Sequence, residues 1–199
     1  MDMDSIVAAA PKIDLYDPLA DLLGSDDAGR LHYDFADAVK LTGHACPTVA
    51  SAYLLTWRAL GYLYPDRLPR RGEILVRLRQ GPADGTTGVI AQVVGQITGA
   101  AGEGGFAGLA GQFRRRDLLR FNQDIPQLLQ FERLDNAAVI DVNLDLSQVP
   151  AAAEIGHLLP LILAGEAGQA QHEMFKQLWR LWLFDILVTH VDKPLLVRL

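Results

Sequence analysis

The residues best suited to chemistry lie in Leu41-Thr42-Gly43-His44-Ala45-Cys46-Pro47-Thr48, which holds the only cysteine among 199 residues. An imidazole two positions from a thiol has two chemical uses. The pair can share a metal ion, or the histidine can help ionise the sulfur, because the thiolate is both the ligand and the nucleophile. A third reading needs no chemistry, since a lone cysteine also packs as a small hydrophobe. The spacing leaves all three open.

Pro47 suits the first turn of a helix, and the following Thr48 to Leu60 mixes small and bulky side chains. A helix is therefore expected from Pro47, with Cys46 at or just before its start and Gly61 as its stop. The positive end of that helix would favour the thiolate. Upstream, Leu31, Phe35, Ala38 and Leu41 recur at helical spacing, with Asp34 as an N-terminal charge or cap. That helix leads straight into the octapeptide.

Other elements must hold these in place. Glu73 to Arg79 alternates apolar and polar residues as a half-buried strand does, placing Ile74, Val76 and Leu78 on one side. Thr86 to Thr98 reads as a helix buried through Val89, Ile90, Val93, Val94 and Ile97. The glycine-rich 99–105 loop has neither the Gly-x-Gly-x-x-Gly order nor a following Lys-Ser/Thr, which argues against a nucleotide site. Phe113 to Phe121 is expected to form a hairpin or edge strand, its Arg114-Arg115-Arg116 run being a solvated edge rather than an anion site. Ala138 to Leu146 is a strand, and Ala151 to Leu163 and Glu166 to Val188 are helices. The last is apolar around so much of its girth that a homodimer is expected.

Half of the residues are hydrophobic, 21% are charged and the net charge is −6, as in one ordinary soluble domain. The acidic balance disfavours nucleic acid and anionic membranes as partners. One cysteine excludes an internal disulfide and a four-thiolate zinc site. The acidic Met1-Asp2-Met3-Asp4 start is unlike a secretory signal, and no apolar run approaches the roughly 20 residues of a membrane span, so a cytoplasmic protein is expected.

Phe35-Ala36-Asp37-Ala38-Val39-Lys40-Leu41-Thr42-Gly43-His44-Ala45-Cys46-Pro47 and its small-residue helix resemble the N-terminal motif of the FmdE-like family, named for formylmethanofuran dehydrogenase. Members of that family carry His-Gly-His-x-Cys-Pro-Gly there. The Ile90 to Gly99 stretch is similar in length and glycine placement to the family's Gly-Cys-Thr-containing helix end, and the resemblance covers about residues 31 to 125. It implies an α+β fold, with helices packed on one face of a mainly antiparallel sheet. Here that would be a single domain of residues 28–199 with a helical C-terminal extension, preceded by a loosely ordered arm of residues 1–27 with a short helix near Leu19 to Leu23.

The resemblance further implies a transition metal, zinc being the expected ion, held by His44 and Cys46. The family name implies an accessory role beside a molybdenum or one-carbon enzyme. Thr42 stands where the family's first histidine usually is, Thr48 replaces the glycine after Cys-Pro, and Gln96 falls where a second cysteine is common. Hydroxyl and amide are weaker ligands for such an ion than imidazole and thiolate. Water, a partner chain or another histidine must then complete the site, His32 ahead of His157, His172 and His190, or the site is vestigial. The alternatives are a dimeric scaffold with a degenerate metal site, a thiol enzyme using Cys46, and a Cys-Pro haem-responsive site.

Overall fold

A computed structural model describes residues 1–25, 27–191 and 195–198. The alternation after Glu73 becomes β3 (Ile74–Leu78), the hub of a sheet with β4 (Leu119–Arg120), β5 (Leu129–Arg133), β6 (Val139–Leu144) and β7 (Leu195–Arg198). The strand order is β4-β3-β5-β6-β7, antiparallel except for the β3–β4 pair. Val76 lies opposite Phe131, and Leu129 opposite Val142. Ile74, Val76, Leu78, Leu129, Phe131, Ile140 and Val142 are all fully buried on one face. The other face is mostly polar, with an Arg77–Glu132 ion pair at 2.6 Å and a Gln130–Asp141 hydrogen bond at 3.0 Å beside Leu75 and Val139. Helices therefore cover a single face of a mainly antiparallel sheet, as an α+β fold requires.

The covering layer is α4 (Pro47–Leu63) and α5 (Thr87–Thr98), lying side by side, with α3 (Phe35–Thr42) packed against both. Val49, Ala50, Ala52, Tyr53, Leu54 and Leu55 of α4 are fully buried, because the helix is enclosed by sheet and helices on several sides. It runs past Gly61, which sits in its last turn, and ends at Tyr64. Ile90, Val93, Val94 and Ile97 of α5 are buried as their spacing predicts, while Val89 is only partly so.

Two regions depart from the sequence expectation. Arg30–Tyr33 is a strand, β2, paired antiparallel with β1 (Ile13–Tyr16), so the helix begins at Phe35 and not at Leu31. The capping box decides this: Asp34 accepts from the Ala36 amide at 2.8 Å while Asp37 accepts from the Asp34 amide at 3.1 Å. Nor is the N-terminal segment loose. It forms α1 (Met3–Ala9), β1 and α2 (Pro18–Leu23), and its Ile6, Ile13 and Leu15 are buried in the core. Apolar side chains at those positions give the arm enough hydrophobic contact to offset the entropy of ordering it.

The C-terminal extension is a pair of helices, α6 (Ala153–Leu163) and α7 (Gln169–Phe184), the second continuing into one π-helical turn, Asp185–Thr189. Leu183, Ile186 and Leu187 anchor it to the core, whereas Leu163, Met174 and Leu181 remain exposed. Among the described residues, no helix is long and apolar enough to cross a membrane.

Tyr53 ties arm to core: its hydroxyl donates to the Pro11 carbonyl at 2.6 Å and lies 3.2 Å from the Tyr33 carbonyl. Burial, then the charges of Asp34, Asp37 and Asp14, hold the phenol well above its ordinary value, so it remains a donor. Tyr53→Phe is predicted to lower unfolding stability by about 1–2 kcal/mol, the cost of leaving buried carbonyls without their donor. Tyr62→Phe, at an exposed position, serves as the control in the same urea titration and should be unchanged.

Candidate functional site

Cys46 is the N-cap residue of α4, in extended backbone, with Pro47 opening the first turn. Its side chain makes no capping hydrogen bond and is partly buried against the core. The turn that presents it is closed by its own residues. Gly43 ends α3 with a left-handed φ of 76°, its amide bonded to the Val39 carbonyl. The Thr42 hydroxyl lies 2.9 Å from the Ala38 carbonyl and 3.0 Å from that of His44. Thr42 therefore serves to close the turn.

His44 is exposed, and its Nδ1 lies 2.9 Å from the Thr42 carbonyl. A carbonyl only accepts, so Nδ1 carries the proton in that bond, which leaves Nε2 as the nitrogen that could face a ligand. Between the two donors, the Ala45 carbonyl accepts from Trp179 Nε1 of α7 at 2.9 Å. The C-terminal extension is thereby docked on the motif, with Phe175, Trp179 and Trp182 in continuous ring contact.

The donor types suit zinc, and the donor number does not. A closed zinc site takes four protein ligands and an open one usually three. Among the described residues, no group of three or more His, Cys, Asp or Glu side chains is placed to hold a metal ion. His32 is instead paired with Asp14 on the β1–β2 hairpin, Nδ1 to Oδ1 2.5 Å. Gln96 turns its amide to the Asp37 carbonyl at 3.3 Å, and its Oε1 is buried with no partner. His157 and His172 lie on α6 and α7, and His190 follows the π-helical turn.

A second constellation went unrecognised in the sequence. Asp17, 3% exposed, accepts from Arg71 Nη1 at 2.9 Å and Arg115 Nη2 at 2.7 Å, and caps α2 through the amides of Leu19 and Ala20. Arg71 also donates to the Gln96 and Ile97 carbonyls at the end of α5, at 2.9 and 3.2 Å. The arginine run is thus not a uniformly solvated edge: Arg114 and Arg116 are exposed while Arg115 is only 7% so. Only Leu119–Arg120 of that stretch is strand, and the 99–118 loop is folded by its own backbone bonds, such as Arg115 N to Phe106 O and Ala101 N to Arg115 O. Gly72, with φ of 81°, lies against the Arg115 guanidinium so closely that any Cβ would collide with it. The readable signal was Asp17-Pro18, a capping residue before a helix-opening proline.

Comparison with protein-family models and with curated proteins finds no match.

Burial by itself would raise the Asp17 carboxyl, but the Arg71 hydrogen bond, the Arg115 charge and the amides of Ala20 and Leu19 outweigh it and hold the group below its ordinary value. Stability from a depressed carboxyl is present above its unfolded pKa and lost as pH falls through the folded one. Asp17→Asn is predicted to cost about 3 kcal/mol at neutral pH, the penalty of unpairing buried guanidinium groups. That gap should narrow as the pH drops below 3.8 in denaturant titrations. Separately, Trp179→Phe removes the bond to Ala45 and is expected to speed alkylation of Cys46 several-fold in native protein, with no change in urea.

Proposed function

We propose that the chain is an FmdE-like protein that binds a transition metal ion, zinc, through His44 and Cys46 at an open site. The observation that carries this reading is the His44 Nδ1 bond to the Thr42 carbonyl. Metal-binding histidines are commonly oriented by such a bond from the second ring nitrogen, which leaves the first as ligand. Support comes also from Cys46, which stands at the head of a helix with no capping duty. Two donors from one chain give modest affinity, and water, a substrate or a second copy supplies the remaining positions. An accessory role beside a molybdenum or one-carbon enzyme would use the ion as a delivered or shared group.

A homodimer belongs to the same proposal. Leu163, Met174 and Leu181 of the α6–α7 pair are 78%, 51% and 48% exposed, apolar surface that a second copy would cover. If the metal site has decayed, this face is what is left of the function, and the protein is a dimeric scaffold. The small number of ligands favours this second reading.

Tag-free protein titrated with zinc against a chromophoric chelator separates them. The metal reading predicts saturable binding of at most one ion per chain, weakened at least tenfold in both His44→Ala and Cys46→Ala. A chain that takes up no zinc, or whose binding is indifferent to both substitutions, would overturn it. Light scattering on the Leu163→Glu, Met174→Glu double variant tests the dimer, which should dissociate to a mass near the 21.8 kDa of one chain.

A further inference from the structure

We infer that the cleft above Arg115 binds an organic carboxylate: a small carboxylic acid whose apolar body lies on the small-residue face of α5 and whose charged end meets the guanidinium. This cleft is separate from the metal motif, because no residue of the 41–48 stretch lines it.

Its basis is an imbalance of donors. A guanidinium offers five N–H groups, and a buried one must find acceptors for them. Arg71 is provided for: Asp17 and the carbonyls of Gln96 and Ile97 engage all three of its nitrogens. Arg115 is more deeply buried, and only its Nη2 has a partner, Asp17. Among the described residues, its Nε and Nη1 meet no protein acceptor, yet neither is sealed from solvent-accessible space. Charge leads the same way. Two guanidinium groups share one carboxylate here, and the next, Glu73, is taken by Arg70 at 2.7 Å. One further negative charge would complete the set, and a planar carboxylate matches the guanidinium fork.

The surroundings define the rest of the ligand. Arg115 lines three adjoining cavities, the largest of about 670 Å³. Its walls beyond the arginines are mostly apolar or small: Ala91 and Gly95 on α5, then Phe106, Leu119 and Phe121. Small side chains on one helix face leave a flat floor, and the aromatic and leucine side chains enclose it, so a flat hydrocarbon body fits better than a hydrated inorganic ion. Phosphate would satisfy Arg115 but leave that floor uncovered.

The test uses 2-naphthoate as probe, titrated calorimetrically into the full chain after chelator treatment and exhaustive buffer exchange, which removes any metal ion and leaves no competing carboxylate. Saturable binding is expected, with the isosteric neutral 2-naphthamide and inorganic phosphate each at least tenfold weaker. Arg115→Met should reduce affinity at least tenfold. Gln92, exposed on the cleft wall, gives a second variant that does not disturb the core. Gln92→Trp should fill the cleft, keep the melting temperature and weaken 2-naphthoate at least tenfold. Absence of binding, equal affinity for acid and amide, tighter binding of phosphate, or unchanged binding in Gln92→Trp would each overturn the inference.

Discussion

A carboxylate removed from water must be paired, and the buried Asp17 imposes that demand on four separate parts of the chain. Its two oxygens accept from the amides that open α2, from Arg71 before β3 and from Arg115 in the long 99–118 loop. Arg71 then reaches the last carbonyls of α5, where a cation is favoured by the helix dipole as well as by hydrogen bonds. One charged group thus fixes the N-terminal arm, the entry to the central strand, the end of α5 and the loop beyond it. The same demand explains Gly72, whose missing side chain is the space that the Arg115 guanidinium occupies.

The opposite end of the helical layer is governed by a different constraint. Pro47 opens α4 and Gly43 closes α3, so the few residues between them must turn sharply, and their own polar groups stabilise the turn. His44 and Cys46 are presented from this turn, and Trp179 of the C-terminal extension seals the peptide between them. The site is closed by its own hydrogen bonds and, among the described residues, poor in ligands. Fold and chemistry are accordingly separable here: the turn would persist whether or not an ion is bound, because none of its bonds needs one.

Where local pattern and tertiary environment agreed, the sequence was readable. Pro47 marked a helix start because its ring fits the first turn, and Ile74, Val76 and Leu78 alternated because one face of their strand is buried. The α5 stripe followed from the same logic. Leu31 misled because a leucine at helical distance from Phe35 looks the same whether it precedes the helix in a strand or sits in it; the Asp34–Asp37 capping box resolved the matter. Prolines at 11 and 18 suggest breaks and so a loose arm, although Ile6, Ile13 and Leu15 are the residues that fix it. Of the candidate site, the types and order of His44 and Cys46 were legible, and the bond from His44 to Thr42 was not. Arg115 was hidden between two arginines of the same kind. Which of the three turns inward depends on a loop with positive φ at Phe113 and Asp117; aspartate takes that conformation more readily than most residues, but a phenylalanine gives no sign of it.

Arg115, as a buried cation with hydrogen-bond donors left to give, is open to direct observation. Proton exchange of the guanidinium Nε–H groups in arginine-labelled, ligand-free protein, followed by nitrogen-15 NMR, reads out whether those donors are engaged. A slowly exchanging Arg71 Nε–H, held by the Ile97 carbonyl, is expected beside a markedly faster Arg115 Nε–H in spite of its deeper burial. An Arg115 signal as protected as that of Arg71 would mean a closed ion cluster with nothing to offer a ligand, contrary to the arrangement described.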